Sequence, residues 1–286
     1  MVAEQVDSQE RPDESSVETW EAIAAGWERY HDQLLAHTSP VDERMTELAD
    51  VRAGEVALEL AAGLGTLSRS LAARVVPGGE VICTDGSSAM VEAARRQADD
   101  SLPVTYRVMD AQAIDLDDQS VDVVMCKMGL MLLPDSPQAA GEVTRVLRPG
   151  GRLVAATWGP LEHNLWLTTF AAAMLTHGHG PPSDPTAPGG IFSLATAEKL
   201  EGLLDRAGLS EVAVETVDVP ERAASFEDYW RLRAATSGPL TLALNDLDAA
   251  QAEAVRTSCR EFAANHQRDD GSYEFSGQAL IALARR

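Results

Sequence analysis

The sequence predicts an α/β fold in which parallel strands alternate with helices in a doubly wound sheet. Residues 56–85 carry the clearest evidence, because a short apolar run, a small-residue turn, a helical segment and a second apolar run follow one another there as in one β-α-β unit. The same alternation continues along the chain, with strands predicted at 55–60, 80–84, 103–108, 121–126 and 152–158 and helices at 64–75, 88–98 and 136–147. In such a sheet, ligands bind beyond the carboxyl ends of the strands.

The turn after the first predicted strand is built from small residues. Ala61, Ala62, Gly63 and Gly65 let a ligand approach the main chain closely, and the helix that follows offers unpaired N–H groups. Asp85, at the end of the second strand, is placed to accept hydrogen bonds from the two hydroxyls of a ribose. A cofactor that contains a nucleoside is therefore predicted.

Two cofactors compete for this turn. Gly63-x-Gly65-x-x-Ser68, with Asp85 about twenty residues further on, comes close to the dinucleotide fingerprint and would suit NAD. Glu59, just before the turn, favours a cationic ligand, because a carboxylate repels a pyrophosphate and attracts the ammonium and sulfonium of S-adenosylmethionine. The turn also contains no Arg or Lys that could neutralise a phosphate.

Five motifs resemble those of the class I S-adenosylmethionine-dependent methyltransferases. Glu59-x-Ala61-x-Gly63-x-Gly65 is similar to their first motif, with Ala61 where glycine is commoner, and residues 84–95 are similar to the second. Residues 110–112, 123–131 and 145–151 resemble the later motifs, in the right order and spacing. Within the class, the nearest resemblance is to the ubiquinone and menaquinone biosynthesis methyltransferases, a branch that acts on many small molecules.

This resemblance implies a Rossmann-like doubly wound sheet of about seven strands, with N-terminal helices and a helical insertion covering the cleft. The last strand, expected at 273–284, would run antiparallel at the edge of the sheet. S-adenosyl-L-methionine is the implied cofactor. The residues expected to bind it are Glu59, Ala61, Gly63, Gly65, Asp85, Gly86, Met90, Asp110, Ala111, Cys126, Lys127 and Met128.

Two of these residues have a second interpretation. Asp110 follows the third strand and is expected to contact the adenine amino group, although an Asp at such a position can instead cap a turn. Lys127 is expected to point outward, because its ammonium would repel a sulfonium, and to leave the main chain of 126–128 facing the methionine part of the cofactor.

The chain is expected to divide into a disordered acidic tail (1–16), an N-terminal helical lid (17–50), a methyltransferase domain (51–160, 195–219 and 271–286) and two cap segments (161–194 and 220–270). The apolar positions of the first helix fall near one face, so this helix packs on the domain edge, covers the ligand, or does both. Further helices are expected at 164–176, 196–207 and 246–265 and after Ser225. Trp27, Tyr30, Trp158 and Trp166 are the expected substrate or lid residues.

Composition limits the partners. A formal net charge of −22 argues against nucleic acid, because duplex binding depends on Lys and Arg neutralising phosphates. No apolar run is long enough to predict a membrane span, and three widely spaced cysteines favour a cytoplasmic protein with reduced thiols. No metal is predicted, since His177-x-His179 has no third ligand near it in the sequence.

The predicted reaction is methyl transfer from S-adenosylmethionine to a small-molecule acceptor by in-line displacement. An acceptor that must lose a proton needs a base, and His163, just past the fifth strand, is the leading candidate, ahead of Tyr30, His31 and His266. Two alternatives stay open. One is a protein that binds S-adenosylmethionine without transferring methyl, such as a cyclase or a regulatory binder, and the other is an NAD-dependent oxidoreductase.

Overall fold

The computed structural model describes residues 15–286, so almost all of the expected tail at 1–16 lies outside the described residues. The strands are β1 (Val56–Leu60), β2 (Glu80–Asp85), β3 (Val104–Val108), β4 (Val121–Lys127), β5 (Leu147–Trp158), β6 (Ser210–Asp218), β7 (Glu221–Ala223), β8 (Tyr273–Phe275) and β9 (Gln278–Arg285). The α-helices are α1 (Val17–Arg29), α2 (His31–Ala49), α3 (Thr66–Val75), α4 (Ser88–Arg96), α5 (Ser136–Val146), α6 (Leu165–Thr176), α7 (Ala197–Arg206), α8 (Phe226–Thr236), α9 (Pro239–Asn245) and α10 (Ala249–Ala263).

Seven strands form the central sheet in the order β3-β2-β1-β4-β5-β9-β6. The first five strands run parallel, and β9 is antiparallel to both of its neighbours. The Rossmann-like sheet with an antiparallel last strand is therefore confirmed. Its expected position at the edge was wrong, because β9 lies between β5 and β6. The burial of the two strands explains this order. Residues 279–282 of β9 are all buried, whereas β6 has no buried residue and suits an edge.

The last part of the chain, predicted as one strand over 273–284, forms two. β8 pairs with β7 in a separate two-stranded sheet, and only β9 enters the central sheet. Gly277 lies at the break, where its main-chain oxygen accepts a hydrogen bond from Val219 at 2.8 Å. A Cβ at this position would lie 2.1 Å from the Val219 oxygen, so only glycine fits between the two sheets.

Helices cover both faces of the sheet. On one face α2, α3 and α6 pack against residues such as Val123, Met125 and Val154, and on the other α5 and α7 pack against Val124 and Leu153. Side chains along β4 and β5 alternate between the two faces of the sheet, so each face packs against its helices through a hydrophobic core of its own. No helix within residues 15–286 is both long and apolar enough to cross a membrane.

The N-terminal helix α1 lies across the carboxyl-terminal side of the sheet and is fastened to α4. The carboxylate of Glu28 accepts two hydrogen bonds from the guanidinium of Arg96, at 2.8 and 2.7 Å. Glu21 accepts the main-chain N–H groups of Ser88 and Ala89, which are unpaired donors at the start of α4. These contacts hold α1 where a lid is expected, and the division of the chain into lid, domain and cap segments stays a prediction.

Candidate functional site

A cavity lies beyond the carboxyl ends of β1, β2 and β4, beneath α1 and α2. Its lining comes from the bend after β1, the end of β2, the end of β4 and the helices that cover them. The lining residues of this part are Trp20, Trp27, His31, Thr38, Glu59, Ala61, Ala62, Gly63, Leu64, Asp85, Gly86, Ser87, Met90, Lys127, Met128 and Gly129. Within residues 15–286, no three His, Cys, Asp or Glu side chains cluster closely enough to hold a metal ion.

The bend after β1 turns its main chain towards the cavity. Ala61 and Gly63 both have positive φ, +50° and +53°, and a Cβ on Gly63 would approach only the Trp27 ring, at 4.0 Å. Behind the bend the packing is tight, because a Cβ on Gly129 would lie 2.5 Å from that of Ala61. The bend is therefore held against the end of β4 and open on its cavity side, which fits close approach of a ligand to the backbone.

Asp85 is fixed between this bend and the start of α4. Its Oδ2 accepts the N–H of Gly63 at 2.8 Å, and its Oδ1 accepts the N–H of Ser87 at 2.9 Å. Burial raises the pKa of Asp85, and these two hydrogen bonds oppose the rise. A carboxylate has about four lone-pair positions, so the two oxygens keep acceptor capacity for the hydroxyls of a ribose. The group therefore fits the nucleoside predicted from the sequence.

Glu59 is buried beneath the bend with 1% of its surface exposed. Its Oε2 accepts the main-chain N–H of Ser68 at 2.7 Å and also the Ser68 hydroxyl. Burial raises the pKa of Glu59 to about 7, although Ser68 and the charge of Lys127 oppose the rise. The serine of the Gly63-x-Gly65-x-x-Ser68 pattern thus donates to the carboxylate of Glu59. A pyrophosphate is not favoured here, because it has the same charge sign as that carboxylate.

Lys127 does not point outward as expected. Its side chain lines the cavity, and its Nζ lies 2.6 Å from Asp42 Oδ1 and 3.4 Å from the Thr38 hydroxyl, both on α2. The expectation was wrong because it considered only repulsion by a cofactor. The carboxylate of Asp42 compensates the ammonium charge, so a partly buried position becomes favourable.

Four residues predicted to bind the cofactor lie outside the lining that the described part of the chain forms. Gly65, at the start of α3, is packed so closely that a Cβ would lie 3.1 Å from Cys83 Sγ. Cys126 is wholly buried, which raises the pKa of its thiol to about 12, and Ala111 is buried in the core on the far face of the sheet. Gly65 and Cys126 thus pack behind the cavity wall, whereas Ala111 belongs to the core of the other layer.

Asp110 is the fourth. Its side chain is exposed, and its Oδ1 accepts the main-chain N–H of Gln112 at 2.8 Å and the Gln112 amide at 3.2 Å. This is the turn-capping role that the sequence left open. The adenine contact is not supported by the position of the side chain.

Of the four aromatic residues predicted for lid or substrate, Trp27, Trp158 and Trp166 line the cavity. Tyr30 lies outside the lining found among residues 15–286, half-buried with the Arg29 guanidinium 5.5 Å from its ring centroid. One of the alternative bases, His31, does line the cavity, with Nε2 2.9 Å from the Thr66 hydroxyl.

His163, the leading candidate base, is exposed on the surface and outside the cavity lining in the described chain. The neighbouring Asn164 explains its position. The Asn164 side-chain amide donates to the main-chain oxygens of Gly159 and Pro160, both at 3.1 Å, and its oxygen accepts the Trp166 indole N–H at 3.0 Å. Asn164 therefore anchors the chain inward, and the 3₁₀ turn Leu161–His163 faces solvent.

The inner end of the cavity contains residues that the sequence did not single out. Arg233, on α8, lies 4.7 Å from the Trp166 ring centroid, and its Nη2 is 3.1 Å from Glu221 Oε2. His37, on α2, stacks on Trp158 with ring centroids 5.6 Å apart. Its Nε2 donates to the main-chain oxygen of Val219 at 3.0 Å. Burial, together with the charge of Arg233, lowers the pKa of His37 to about 3.

A signal for Arg233 is present in the sequence. Phe226, Tyr229 and Arg233 have the spacing i, i+3 and i+7, which places them on one face of a helix. That face is buried, as its two aromatic residues indicate. An arginine on an otherwise apolar face is a candidate for a buried pair or a ligand contact.

The similarity of this chain to known proteins agrees with the geometry of the site. The family model for a methyltransferase domain matches residues 58–155. The ubiquinone/menaquinone biosynthesis C-methyltransferase UbiE of Laribacter hongkongensis is 30% identical over 164 residues, which are 55% of this chain and 67% of that protein. The chain belongs to the class I S-adenosylmethionine-dependent methyltransferases. The predicted family and its cofactor, S-adenosylmethionine, are confirmed, and the NAD-dependent alternative was wrong.

Two further proteins are similar to part or most of this chain. A 37.1 kDa protein in transposon TN4556 of Streptomyces fradiae is 43% identical over 127 residues, 44% of this chain and 37% of that protein. The YcgJ protein of Bacillus subtilis shares the fold, with a TM-score of 0.57 and 16% identity over 86% of this chain and 97% of that one. This methyltransferase chain spans about half the length of the curated relatives it matches, from 37% to 67%.

Proposed function

We propose that this methyltransferase transfers a methyl group from S-adenosylmethionine to a small organic molecule. The observation that carries the proposal is the extent of the cavity. The same cavity that reaches Asp85 and Gly63 at one end continues to Trp158, Trp166 and Arg233 at the other. A cofactor end and an enclosed aromatic end within one cavity are what a two-substrate transfer requires.

The cofactor end would hold S-adenosylmethionine through three groups. Asp85 offers acceptors to the ribose hydroxyls, and the Gly63 bend allows close approach of the backbone. Glu59, beneath the bend, supplies negative potential that favours a cationic ligand. When bound, this cofactor supplies an activated methyl group, so the protein's task is to align the acceptor and exclude water.

The helices α1 and α2 supply that exclusion. Trp27 on α1 covers the Gly63 bend, and the Glu28–Arg96 and Lys127–Asp42 ion pairs fasten these helices to α4 and β4. A cavity closed in this way favours a small acceptor over a macromolecule. Holding the acceptor in line can be worth effective molarities of about 10⁵–10⁸ M.

The acceptor would pack against the aromatic end. Trp158 and Trp166 lie with ring centroids 4.8 Å apart and their planes tilted by 54°, and they give this end of the cavity an aromatic, largely apolar wall. His37 is poorly placed to remove a proton from an acceptor, because its Nε2–H is committed to the Val219 oxygen and its Nδ1 lies 3.4 Å from Glu221. We therefore assign His37 to packing and positioning.

The experiment is turnover with methyl-labelled S-adenosylmethionine and a broad panel of small acceptors, read by mass spectrometry of the products. Labelled product formed together with S-adenosylhomocysteine supports the proposal. The alternative of a cofactor-binding protein without transfer predicts that S-adenosylhomocysteine binds in calorimetry while no acceptor becomes labelled. Failure to bind either form of the cofactor would contradict both.

A further inference from the structure

We infer that the inner end of the cavity is a subsite for a carboxylate group of the acceptor, bound by Arg233 and Ser237. This inference rests on the proposed function, since it names the acceptor's chemistry at the same site.

Arg233 provides the first observation. Only 2% of its surface is exposed, yet it lines the cavity. Within residues 15–286, neither its Nε nor its Nη2 has a hydrogen-bond partner of good geometry, although both atoms are buried. Its neighbours are the Trp166 ring and the carboxylate of Glu221. A buried guanidinium normally fills its donor positions. The unpaired Nε, beside an Nη2 that has only the ion-pair contact with Glu221, therefore points to a missing ligand.

Ser237 is the second, independent observation. It follows Arg233 by one helical turn and also lines the cavity, with 9% of its surface exposed. Its hydroxyl is buried and has no partner among the described residues, whereas its main-chain N–H donates to the Thr241 hydroxyl at 2.9 Å. The backbone is thus fixed and the hydroxyl left available, which adds a second donor to the lining of the same cavity.

Glu221 explains how a second anion can be accommodated. Its Oε2 lies 3.1 Å from Arg233 Nη2 and 3.4 Å from Nδ1 of His37, whose lowered pKa keeps the imidazole neutral. Because His37 Nε2 already donates to the Val219 oxygen, its Nδ1 can accept a hydrogen bond from a protonated Glu221. Burial raises the pKa of Glu221 to about 7, with the charge of Arg233 opposing the rise. A carboxylate that binds Arg233 would therefore lead Glu221 to take up a proton from the solvent.

The charges of the groups that face Glu221 from neighbouring elements are compatible with its protonation when a carboxylate binds. They are His37 from α2 and Arg233 and Tyr229 from α8. Burial raises the pKa of Tyr229, which stays neutral and donates to the Trp166 oxygen at 2.8 Å. With Glu221 protonated, the cluster has one positive charge from Arg233, which matches one carboxylate.

The donor set favours a carboxylate over other acceptor groups. A planar guanidinium can give two parallel hydrogen bonds to a carboxylate. A phosphate dianion would leave one charge uncompensated against an apolar wall, at a high desolvation cost. A neutral carboxamide would bring its own N–H donors against those of Arg233.

The test uses matched pairs of probes on protein saturated with S-adenosylhomocysteine. Benzoate, phenylacetate and 3-phenylpropanoate are titrated by calorimetry beside benzamide, phenylacetamide and 3-phenylpropanamide. At least one carboxylate should bind tenfold or more tightly than its carboxamide, with uptake of a proton measured from the buffer dependence of the enthalpy. Arg233→Gln should abolish that preference, and Ser237→Ala should reduce it several-fold. Arg231→Gln is the matched control, since this side chain is on the same helix and 59% exposed.

Three results would overturn the inference: no carboxylate of the panel binds, a carboxamide binds as tightly as its carboxylate, or the preference survives Arg233→Gln. If Arg233→Gln fails to fold because Glu221 is left unpaired, the Arg233→Gln/Glu221→Gln double variant removes both charges, and persistence of the preference there is equally decisive. The preceding titration with S-adenosylhomocysteine keeps the two proposals separate. A protein that does not bind it refutes the proposed function, whereas one that binds it but prefers no carboxylate refutes only the subsite.

Discussion

The indole N–H of Trp27 donates a hydrogen bond to the main-chain oxygen of Thr236 at 3.3 Å. The same ring lies 4.0 Å from the Cβ position of Gly63. One side chain of α1 therefore reaches from the Gly63 bend to the end of α8, where the proposed acceptor subsite begins. This contact makes α1 a cover for both halves of the cavity.

Removing this cover should weaken cofactor binding. Trp27→Ala loses both the hydrogen bond and the packing on the bend, and we expect the Kd for S-adenosylhomocysteine to rise about tenfold, or ~1.4 kcal/mol. Trp27→Phe keeps most of the packing and should show a smaller rise. Trp230→Ala is the control, because Trp230 packs on Phe170 and Phe226 and is not part of the lining in the described chain. Calorimetry on folded variants measures all three, and equal affinity of Trp27→Ala and the native protein would rule out the cover.

Gly65 is predicted to be intolerant of any side chain. Its φ is +67°, and a Cβ would lie 3.1 Å from Cys83 Sγ and 3.2 Å from the Ala94 Cβ. Gly65→Ala should therefore lower the free energy of unfolding by ~1–3 kcal/mol through overpacking and strain. Gly141→Ala, on the exposed face of α5 with no atom within 4 Å of the Cβ position, should raise it by ~0.5–1 kcal/mol. Urea denaturation compares them, and a Gly65→Ala protein as stable as the native one would contradict this role.

Much of the fold could be predicted because its signals are local. The runs around Val56 and Val121 and the capping Ser225 each depend on neighbouring residues, and each gave an element close to the one observed. The strand expected at 152–158 is longer than predicted, because β5 already begins at Leu147. The split of 273–284 could not be predicted, because Gly277 is required by Val219, a contact distant in sequence. The place of β9 inside the sheet likewise depends on what covers its two faces.

The candidate site likewise contains residues that the sequence indicates and residues whose positions depend on distant contacts. Asp85 and the Gly63 bend carry their chemistry in a short motif, so the sequence indicates them directly. Lys127 and His163 do not. The position of Lys127 depends on Asp42, which lies on another element, and that of His163 depends on how Asn164 bonds the main chain. For Arg233 the sequence indicates only a buried helix face, and the roles proposed for Arg233 and Ser237 depend on neighbours that the fold brings to them.

Stability should depend on pH through Glu221. Its folded pKa is raised to about 7, against an ordinary value of 4.5, so the folded state binds the proton more tightly. This contribution to stability is fully present below pH 4.5 and is lost as the pH rises through 7, by roughly 3 kcal/mol at most. Glu59 acts in the same direction and His37 in the opposite one, so the difference between variants isolates Glu221.

Glu221→Gln removes that titration. Relative to the native protein, its free energy of unfolding should improve between pH 5 and pH 8, because the variant has no carboxyl to ionise in the core. Glu253→Gln, at a side chain 64% exposed, should leave the pH dependence unchanged. Denaturant titrations at both pH values make the comparison, and a native-like pH dependence in Glu221→Gln would show that Glu221 is already ionised in the folded protein at pH 5.

His163 is predicted to be dispensable. Its side chain is exposed and lies outside the cavity lining formed by residues 15–286, so it is not placed to accept a proton from a bound acceptor. His163→Ala should keep kcat/KM within about twofold of the native value once an acceptor is known. A hundredfold or greater loss of kcat/KM, which corresponds to ~2.7 kcal/mol, would show that His163 takes part in the reaction.

We propose that Asp85 and the Gly63 bend hold the nucleoside of S-adenosylmethionine. The most direct measurement is calorimetric titration of S-adenosylhomocysteine into Asp85→Asn beside Asp110→Asn, after checking that both variants keep the native circular dichroism. Asp85→Asn should weaken binding by ~1–3 kcal/mol, because an acceptor of ribose hydroxyls and of the Gly63 N–H is lost. Asp110→Asn should keep the native affinity, because within residues 15–286 its carboxylate bonds Gln112 in its own turn. Unchanged affinity in Asp85→Asn would show that Asp85 does not hold the ribose.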